Sequence, residues 1–303
     1  MRPRKKAHPW IMLGPSLAAW GLFIVLPLGL AAYESLFAWD MLTDPVYVGG
    51  DNYAAVGGSE LLRVLGRTLG YSVLVVSGSM GAGLALALLL DRPGRFFGFV
   101  RGAIFSAYVV SWVAVALLWV LLLDPDRGLA AAGLRMLHLP RIGFLTDPAT
   151  AVPTLAAVTV WKITGYAMVV FLAGLRAVPR ELHEAAALDG AGALARFRHV
   201  TWPLLRPTAA FVATTSLIVS FQAFDVVRIM TQGGPARATT LFVYAIYEQI
   251  FLDLSVGRAS ALTVVFFVLL LVLAWSQLRV WRSGPGADAT RPARAAASPP
   301  SGP

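Results

Sequence analysis

The chain has no cysteine, and charged residues make up only 14% of its 303 positions. Without cysteine it can form no disulfide, no thiolate nucleophile and no cysteine-ligated metal site. Histidine is also scarce, and all four copies fall outside the long apolar runs: His8, His138, His183 and His199. The sequence therefore predicts no catalytic residue and no metal site within a membrane.

A nucleotide-binding loop is missing as well, because no Gly-x-x-x-x-Gly-Lys-Ser/Thr sequence occurs. We therefore expect no cofactor in this chain and no enzyme activity of its own. Any ATP hydrolysis coupled to it would have to come from a partner.

Apolar residues are abundant, at 57% of the chain with a mean hydropathy of +0.70. Six runs are nearly free of charge, and each is long enough for the roughly 20 helical residues that cross a bilayer. The sequence therefore predicts an all-α integral membrane protein with six transmembrane helices. Their expected positions are about 10–33, 68–90, 102–123, 150–175, 207–229 and 259–280.

Lysine and arginine are unevenly distributed among the segments between these helices. With a cytoplasmic N-terminus, sixteen basic residues lie inside and eight outside, which predicts that both termini are cytoplasmic. The same distribution accounts for the net charge of +9, so nucleic-acid binding is not predicted. We expect one six-helix domain over 1–282 and a disordered cytoplasmic tail, rich in Pro, Ala, Gly and Ser, over 283–303.

A charged, alanine-rich hairpin over 184–203 separates predicted helices 4 and 5 on the cytoplasmic side. A short helix should end at Gly190, and Pro203 should impose a break before Pro207 starts helix 5. The small side chains would allow another protein to approach closely. Alternatively, the hairpin lies on the inner leaflet with Leu182, Leu188 and Phe197 in lipid.

The spacing of six hairpin residues resembles the cytoplasmic loop of permease subunits in binding-protein-dependent ABC importers. The matching residues are Glu184, Ala185, Ala186, Gly190, Val200 and Pro203, and Trp202 replaces the usual Leu. Phe171-Leu172-Ala173-Gly174-Leu175 and Thr231-Gln232-Gly233-Gly234-Pro235 are similar to segments of the carbohydrate-uptake permeases of the maltose and glycerol 3-phosphate type. One departure is Arg67, where many relatives have Asn.

The resemblance implies several partners in the plasma (inner) membrane of a prokaryote. They are a second permease of a different chain, an ABC ATPase dimer that holds ATP and magnesium, an extracytoplasmic solute-binding protein, and membrane lipid. The loop would dock on the ATPase and transmit its ATP-dependent closure. Its expected coupling residues are Glu184, Ala185, Ala186, Asp189, Gly190, Ala191, Phe197 and Pro203.

Lys162, near the centre of helix 4, is the first candidate for contact with the solute, because a buried lysine needs a polar neighbour. The alternative is a lysine paired with a backbone carbonyl or an acidic group of the second permease. Six further side chains are candidates for the solute path: Trp161, Tyr166, Tyr108, Gln222, Asp225 and Arg228. Each aromatic residue among them could equally face lipid or pack within the protein.

The expected function is translocation of a sugar, sugar phosphate or glycerophosphodiester. A phosphate-bearing solute is favoured if Lys162 and Arg228 both face the path, and a neutral disaccharide is the alternative. An intramembrane enzyme, a channel or a secondary carrier is a more distant alternative. A secondary carrier would need carboxylates within the bilayer, and only Asp225 comes near.

Overall fold

The computed structural model describes residues 9–282, and this part of the chain is almost entirely helical. Its α-helices are α1 Pro9–Trp20, α2 Leu26–Glu34, α3 Asp51–Val56, α4 Ser59–Leu90, α5 Arg95–Val109, α6 Trp112–Leu122, α7 Leu129–Met136, α8 Pro148–Arg176, α9 Arg180–Leu188, α10 Ala193–Arg196, α11 Trp202–Phe221, α12 Asp225–Met230, α13 Phe242–Phe251 and α14 Val256–Arg282. Single π turns, Gly21–Val25 and Phe197–Thr201, join α1 to α2 and α10 to α11. Strands β1, Phe37–Ala38, and β2, Val46–Tyr47, form a short antiparallel hairpin.

Five helical runs are long and apolar enough to cross a membrane: Leu13–Glu34, Ser59–Leu90, Pro148–Arg176, Ala193–Phe221 and Val256–Gln277. Helices α5 and α6, which meet at a bend of 99°, pass the same test of length and hydropathy only when they are taken together. The prediction of an all-α integral membrane protein is confirmed, and the count reaches six when the bent pair is one span. The predicted tail, 283–303, lies outside the described residues.

Three predicted spans differ from the structure. The second span begins at Ser59 instead of residue 68, because Glu60 pairs with Arg63 and Arg67 and the charges continue the helix. The third span, expected as one helix over 102–123, is interrupted at residues 110 and 111. The fifth ends at Phe221 instead of continuing to residue 229, and α12 follows as a separate helix.

The centre of the fold is the pair α4 and α8, which run parallel and in close contact. A Cβ built on Gly83 would lie 2.6 Å from the Cβ of Ala167, and one on Gly78 would lie 2.7 Å from Val160. Glycine at these positions therefore allows the two backbones to approach, which is how helices pack where no water drives association.

Three hydroxyl pairs join α4 to its neighbours in the buried interior. Tyr71 and Thr159 of α8 share a hydrogen bond of 2.6 Å. The other two pairs reach α11 and are 2.9 Å and 2.8 Å long, between Ser79 and Ser216 and between Ser220 and Ser72. The order of the residues shows that α11 runs antiparallel to α4.

Contacts between helix ends show which segments lie at each end of the bundle. Arg176, at the end of α8, pairs with Asp91 after α4 at 3.2 Å, so the segment 177–201 and the loop 91–94 share one end. At the opposite end, Ser260 of α14 donates to Glu34 of α2 at 3.4 Å. This contact joins the end of the first span to the start of the last one. The first span begins near residue 9 and the last one finishes near residue 282, so both of these residues lie at the same end of the bundle as the segment 177–201. The assignment of this end to the cytoplasm stays a prediction.

Candidate coupling loop and solute cavity

The segment between α8 and α11 presents an exposed helix, α9, that ends in a glycine turn. Gly190 has a φ of +79°, a left-handed conformation that glycine adopts without a Cβ penalty. Two hydrogen bonds close the turn: the Gly190 N–H donates to the Ala187 carbonyl, and the Ala191 N–H donates to the Ala186 carbonyl. This is the Schellman arrangement, so the helix end that the sequence predicts at Gly190 is present.

Pro203 does not interrupt the helix, contrary to the prediction from the sequence. The π turn Phe197–Thr201 precedes it, and the Trp202 N–H donates to the Phe197 carbonyl five residues back. The wider π turn accommodates a proline, which lacks an N–H and would clash in a regular helix. Helix α10, the turn and α11 consequently form one helical run, and Pro207 lies inside it.

The eight residues predicted to contact an ATPase divide into two groups. Four are exposed: Glu184, Ala185, Asp189 and Gly190. The other four are half-buried against the rest of the segment: Ala186, Ala191, Phe197 and Pro203. Phe197 lies 6.3 Å from Trp202, measured between ring centroids. Leu188 and Leu194 are 90% and 80% exposed beside the first group, so apolar and charged side chains are both free for contact.

Lys162 is buried at the bend between α5 and α6. Its ammonium donates to the backbone carbonyls of Ala107 at 3.2 Å, Tyr108 at 3.1 Å and Val110. These carbonyls lie at the interruption, where the helix ladder leaves acceptors unpaired. The side chain is 2% exposed, so the geometry favours the alternative of a lysine bound to backbone carbonyls, here those of its own chain. Solute contact by Lys162 stays an untested prediction.

The aromatic candidates take part in two ring pairs. Tyr108 and Tyr166 stack with ring centroids 5.1 Å apart and an interplanar angle of 23°. Trp161 meets Trp119 edge to face at 5.6 Å. Tyr108 and Trp161 are 39% and 44% exposed, respectively, so in the isolated chain they are accessible to a solute, lipid or a partner.

A cavity of about 190 Å³ brings Gln222 and Asp225 together beside the bend. Trp112 forms part of its wall, and the Lys162 ammonium lies 4.8 Å from the centroid of the Trp112 ring. Tyr71 and Thr159 also line it. Sequence reasoning did not select these two, and the only signal was a polar residue within each apolar run. The cavity therefore joins side chains from α4, α6, α8, α11 and α12.

Arg228, the remaining candidate, does not line this cavity. Its Nε donates to the Tyr247 hydroxyl at 3.2 Å, and its guanidinium lies 5.2 Å from the centroid of the same ring. Both cations that would favour a phosphate-bearing solute are thus engaged by groups of the chain itself.

An ionic cluster at the opposite end from α9 shows the contact made by Arg67. Glu60 lies 3.9 Å from Arg67 and 3.5 Å from Arg237, and Arg237 also pairs with Glu248 at 3.1 Å. Burial raises the pKa of Glu248, while Arg237 acts in the opposite direction. Through the ion pair between Arg237 and Glu60, the cluster connects the loop before α13 to α4. Within residues 9–282, no group of His, Asp or Glu side chains is placed to hold a metal ion.

Comparison with known proteins agrees with this geometry. Residues 79–282 match the family described as the binding-protein-dependent transport system inner membrane component. The sn-glycerol-3-phosphate transport system permease UgpA of Agrobacterium fabrum is 33% identical over 281 residues, which are 90% of this chain and 94% of that permease. UgpA of Rhizobium meliloti is 32% identical over the same shares. These relatives are transport permeases.

Two solved structures share the fold. One is a bacterial ABC transporter involved in the import of the acidic polysaccharide alginate, with a TM-score of 0.78 and 23% identity over 90% of this chain and 94% of that chain. The other is a bacterial alginate ABC transporter in complex with alginate pentasaccharide-bound periplasmic protein, with a TM-score of 0.76 and 24% identity over 89% and 92%. The chain described here therefore belongs to the inner membrane components of binding-protein-dependent transport systems, the permeases of ABC importers.

Proposed function

We propose that this chain is one of two different permease subunits of an ATP-driven importer in the inner membrane of a prokaryote. Both termini and α9 lie in the cytoplasm, where α9 docks on an ABC ATPase dimer that supplies ATP and magnesium. The chain itself is not an enzyme. The observation that carries this proposal is the exposed α9 and its Schellman turn, which present the family's Glu184, Ala185 and Gly190 at one end of the bundle.

The opposite end receives solute from an extracytoplasmic binding protein. The solute is a sugar, a sugar phosphate or a glycerophosphodiester, as the glycerol 3-phosphate permeases and the alginate transporters suggest. It passes the cavity beside the bend, where Trp112, Gln222 and Asp225 offer a ring face and hydrogen-bonding groups. A neutral disaccharide is the alternative to a phosphate-bearing solute.

Purification of the chain from its host in mild detergent tests the assembly. A second six-helix permease and an ATPase should copurify, and their ATP hydrolysis should increase when solute-loaded binding protein is added. A lone homo-oligomer that conducts ions in planar bilayers would contradict the proposal.

Charge reversal on α9 tests the docking surface. Glu184 is exposed and has no ion-pair partner within residues 9–282, so Glu184→Lys should leave insertion intact and weaken ATPase binding by about tenfold or more, the usual effect of placing a like charge at a matched interface. Glu181→Lys makes the same change one turn earlier, outside the family motif, and serves as the control. Undiminished ATPase binding and transport by Glu184→Lys would exclude the role of this residue.

A further inference from the structure

The cavity beside the bend contains a carboxylate that no group of the chain satisfies. Asp225 lies in the first turn of α12 and lines the cavity. Within residues 9–282 its side chain has neither a hydrogen bond nor an ion pair, and the same is true of the Gln222 amide in the cavity wall. An ionised carboxylate only accepts hydrogen bonds. A solute in this cavity therefore meets an acceptor that attracts hydroxyl groups and repels anions.

The nearest cations of the solute path do not offset this charge. Lys162 donates to three backbone carbonyls and is 2% exposed. Arg228 follows Asp225 by three residues, so the two share a helix face. Arg228 is nevertheless bonded to Tyr247, and no ion pair joins it to Asp225 in the described chain. Lys162 is thus fully engaged by backbone carbonyls, and Arg228 does not line the cavity.

The remaining lining suits the polyol part of a solute. The indole ring of Trp112 offers an apolar face, and it is held by Lys162 at 4.8 Å. Carbon-bound hydrogens of a sugar or glycerol unit pack on such a face while their hydroxyls bond to neighbouring polar groups. At about 190 Å³, the cavity has room for one small polyol unit.

We propose that Asp225 is a specificity-determining residue that accepts hydrogen bonds from solute hydroxyls and keeps anionic groups of the solute out of this cavity. The proposal rests on the proposed function and names which part of the solute this subunit contacts. A phosphate or carboxylate on the solute would travel outside the cavity, and Lys162 would act on the solute only through Trp112.

The substitution Asp225→Asn tests the proposal in the complete importer, reconstituted in proteoliposomes with its second permease, ATPase and binding protein. The two probes are labelled sn-glycerol 3-phosphate and maltose. Uptake of each probe that the wild type accepts should fall about tenfold, because a neutral amide oxygen accepts a hydroxyl hydrogen bond less strongly than a carboxylate does. Unchanged uptake of maltose by Asp225→Asn, in an importer whose wild type transports maltose, would show that Asp225 accepts no hydrogen bond from solute hydroxyls, and that result would overturn the proposal whatever happens to uptake of sn-glycerol 3-phosphate.

Other outcomes are equally decisive. Uptake by Asp225→Asn within twofold of the wild type would exclude a contact. Transport of neither probe by the wild type would show that the solute class is wrong. Normal copurification of the ATPase in that case would leave the assembly of the importer standing, so the two failures are distinguishable. Asp44→Asn removes an exposed carboxylate in the segment between β1 and β2 and should change neither uptake.

A second variant keeps the test decisive if Asp225→Asn does not assemble. Gln222→Glu adds a second carboxylate to the same cavity. Uptake of sn-glycerol 3-phosphate should then fall no further than uptake of maltose, since the phosphate stays outside. A tenfold loss confined to sn-glycerol 3-phosphate would overturn the proposal.

Discussion

The ammonium nitrogen of Lys162 lies 4.8 Å from the ring centroid of Trp112, on the far side of a 99° bend. The same nitrogen donates to carbonyls at residues 107, 108 and 110. One side chain of α8 thus satisfies the interrupted end of α5 and positions the first residue of α6. Lys162 therefore contacts both sides of the bend.

Removal of that ammonium should loosen the bend. Lys162→Met keeps the apolar stem but leaves the carbonyls without their donor, and each unsatisfied buried group costs about 1–3 kcal/mol. The midpoint of thermal unfolding in detergent should therefore fall, and uptake of neutral and phosphate-bearing solutes should decrease together. Lys162→Arg, which retains charge and donors, should recover much of both. Unchanged stability with a selective loss of sn-glycerol 3-phosphate uptake would instead assign Lys162 to direct solute contact.

The glycine turn after α9 allows a comparison of two matched substitutions. Gly190 has a φ of +79° and Gly192 a φ of −67°, and a Cβ at either position would contact nothing. Gly190→Ala should cost about 1–2 kcal/mol of local strain and unwind the end of α9, whereas Gly192→Ala should be neutral. Solute-stimulated ATP hydrolysis should fall only in Gly190→Ala, with the midpoint of global unfolding nearly unchanged. Equal effects of the two substitutions would show that the turn has no part in coupling.

Glu248 should make the stability of the ionic cluster depend on pH. Its pKa is raised by burial, so the folded state holds the proton more tightly than the unfolded state does. The stability that this provides is complete below the ordinary glutamate pKa and is lost as the pH rises through the raised value. Unfolding midpoints in detergent should decline across that interval. Glu248→Gln should flatten the decline, and Arg237→Gln, which removes the group that lowers the pKa of Glu248, should move it to higher pH. A decline that persists unchanged in Glu248→Gln would mean that another group titrates.

Topology can be tested with single cysteines, because the chain has none of its own. Asp44→Cys lies beyond α2 and Ala187→Cys lies on α9, and both positions are exposed. In intact spheroplasts a membrane-impermeant maleimide should label position 44 and spare position 187, and permeabilisation should make both reactive. Labelling of position 187 before permeabilisation would invert the proposed orientation.

The spans and the exposed loop can be predicted from the sequence because both are determined by residues that are close together in the chain. The length of an apolar run alone predicts a helix in lipid. Gly190 predicts the turn of the exposed loop, because glycine adopts backbone conformations that other residues avoid. The bend at residues 110 and 111 could not be predicted, since neither proline nor glycine interrupts Tyr108 to Trp112. Its stabilising partner, Lys162, comes from another helix. The cavity likewise forms where five helices meet, and the sequence alone does not specify the distances between them.

The continuous helical run from Ala193 to Phe221 makes the turn at Phe197–Thr201 mechanically important. At 1.5 Å per residue its 29 residues extend about 44 Å, from the α9 end of the bundle to the edge of the cavity. A tilt of the run by about 5° would displace its far end by about 4 Å. This displacement exceeds the length of a hydrogen bond between two oxygen atoms, about 2.8 Å. Because Pro203 is absorbed without a break, the helical run is continuous up to Phe221, directly before Gln222 and Asp225, so a displacement of α9 by a docked ATPase would have a continuous helical route to the cavity.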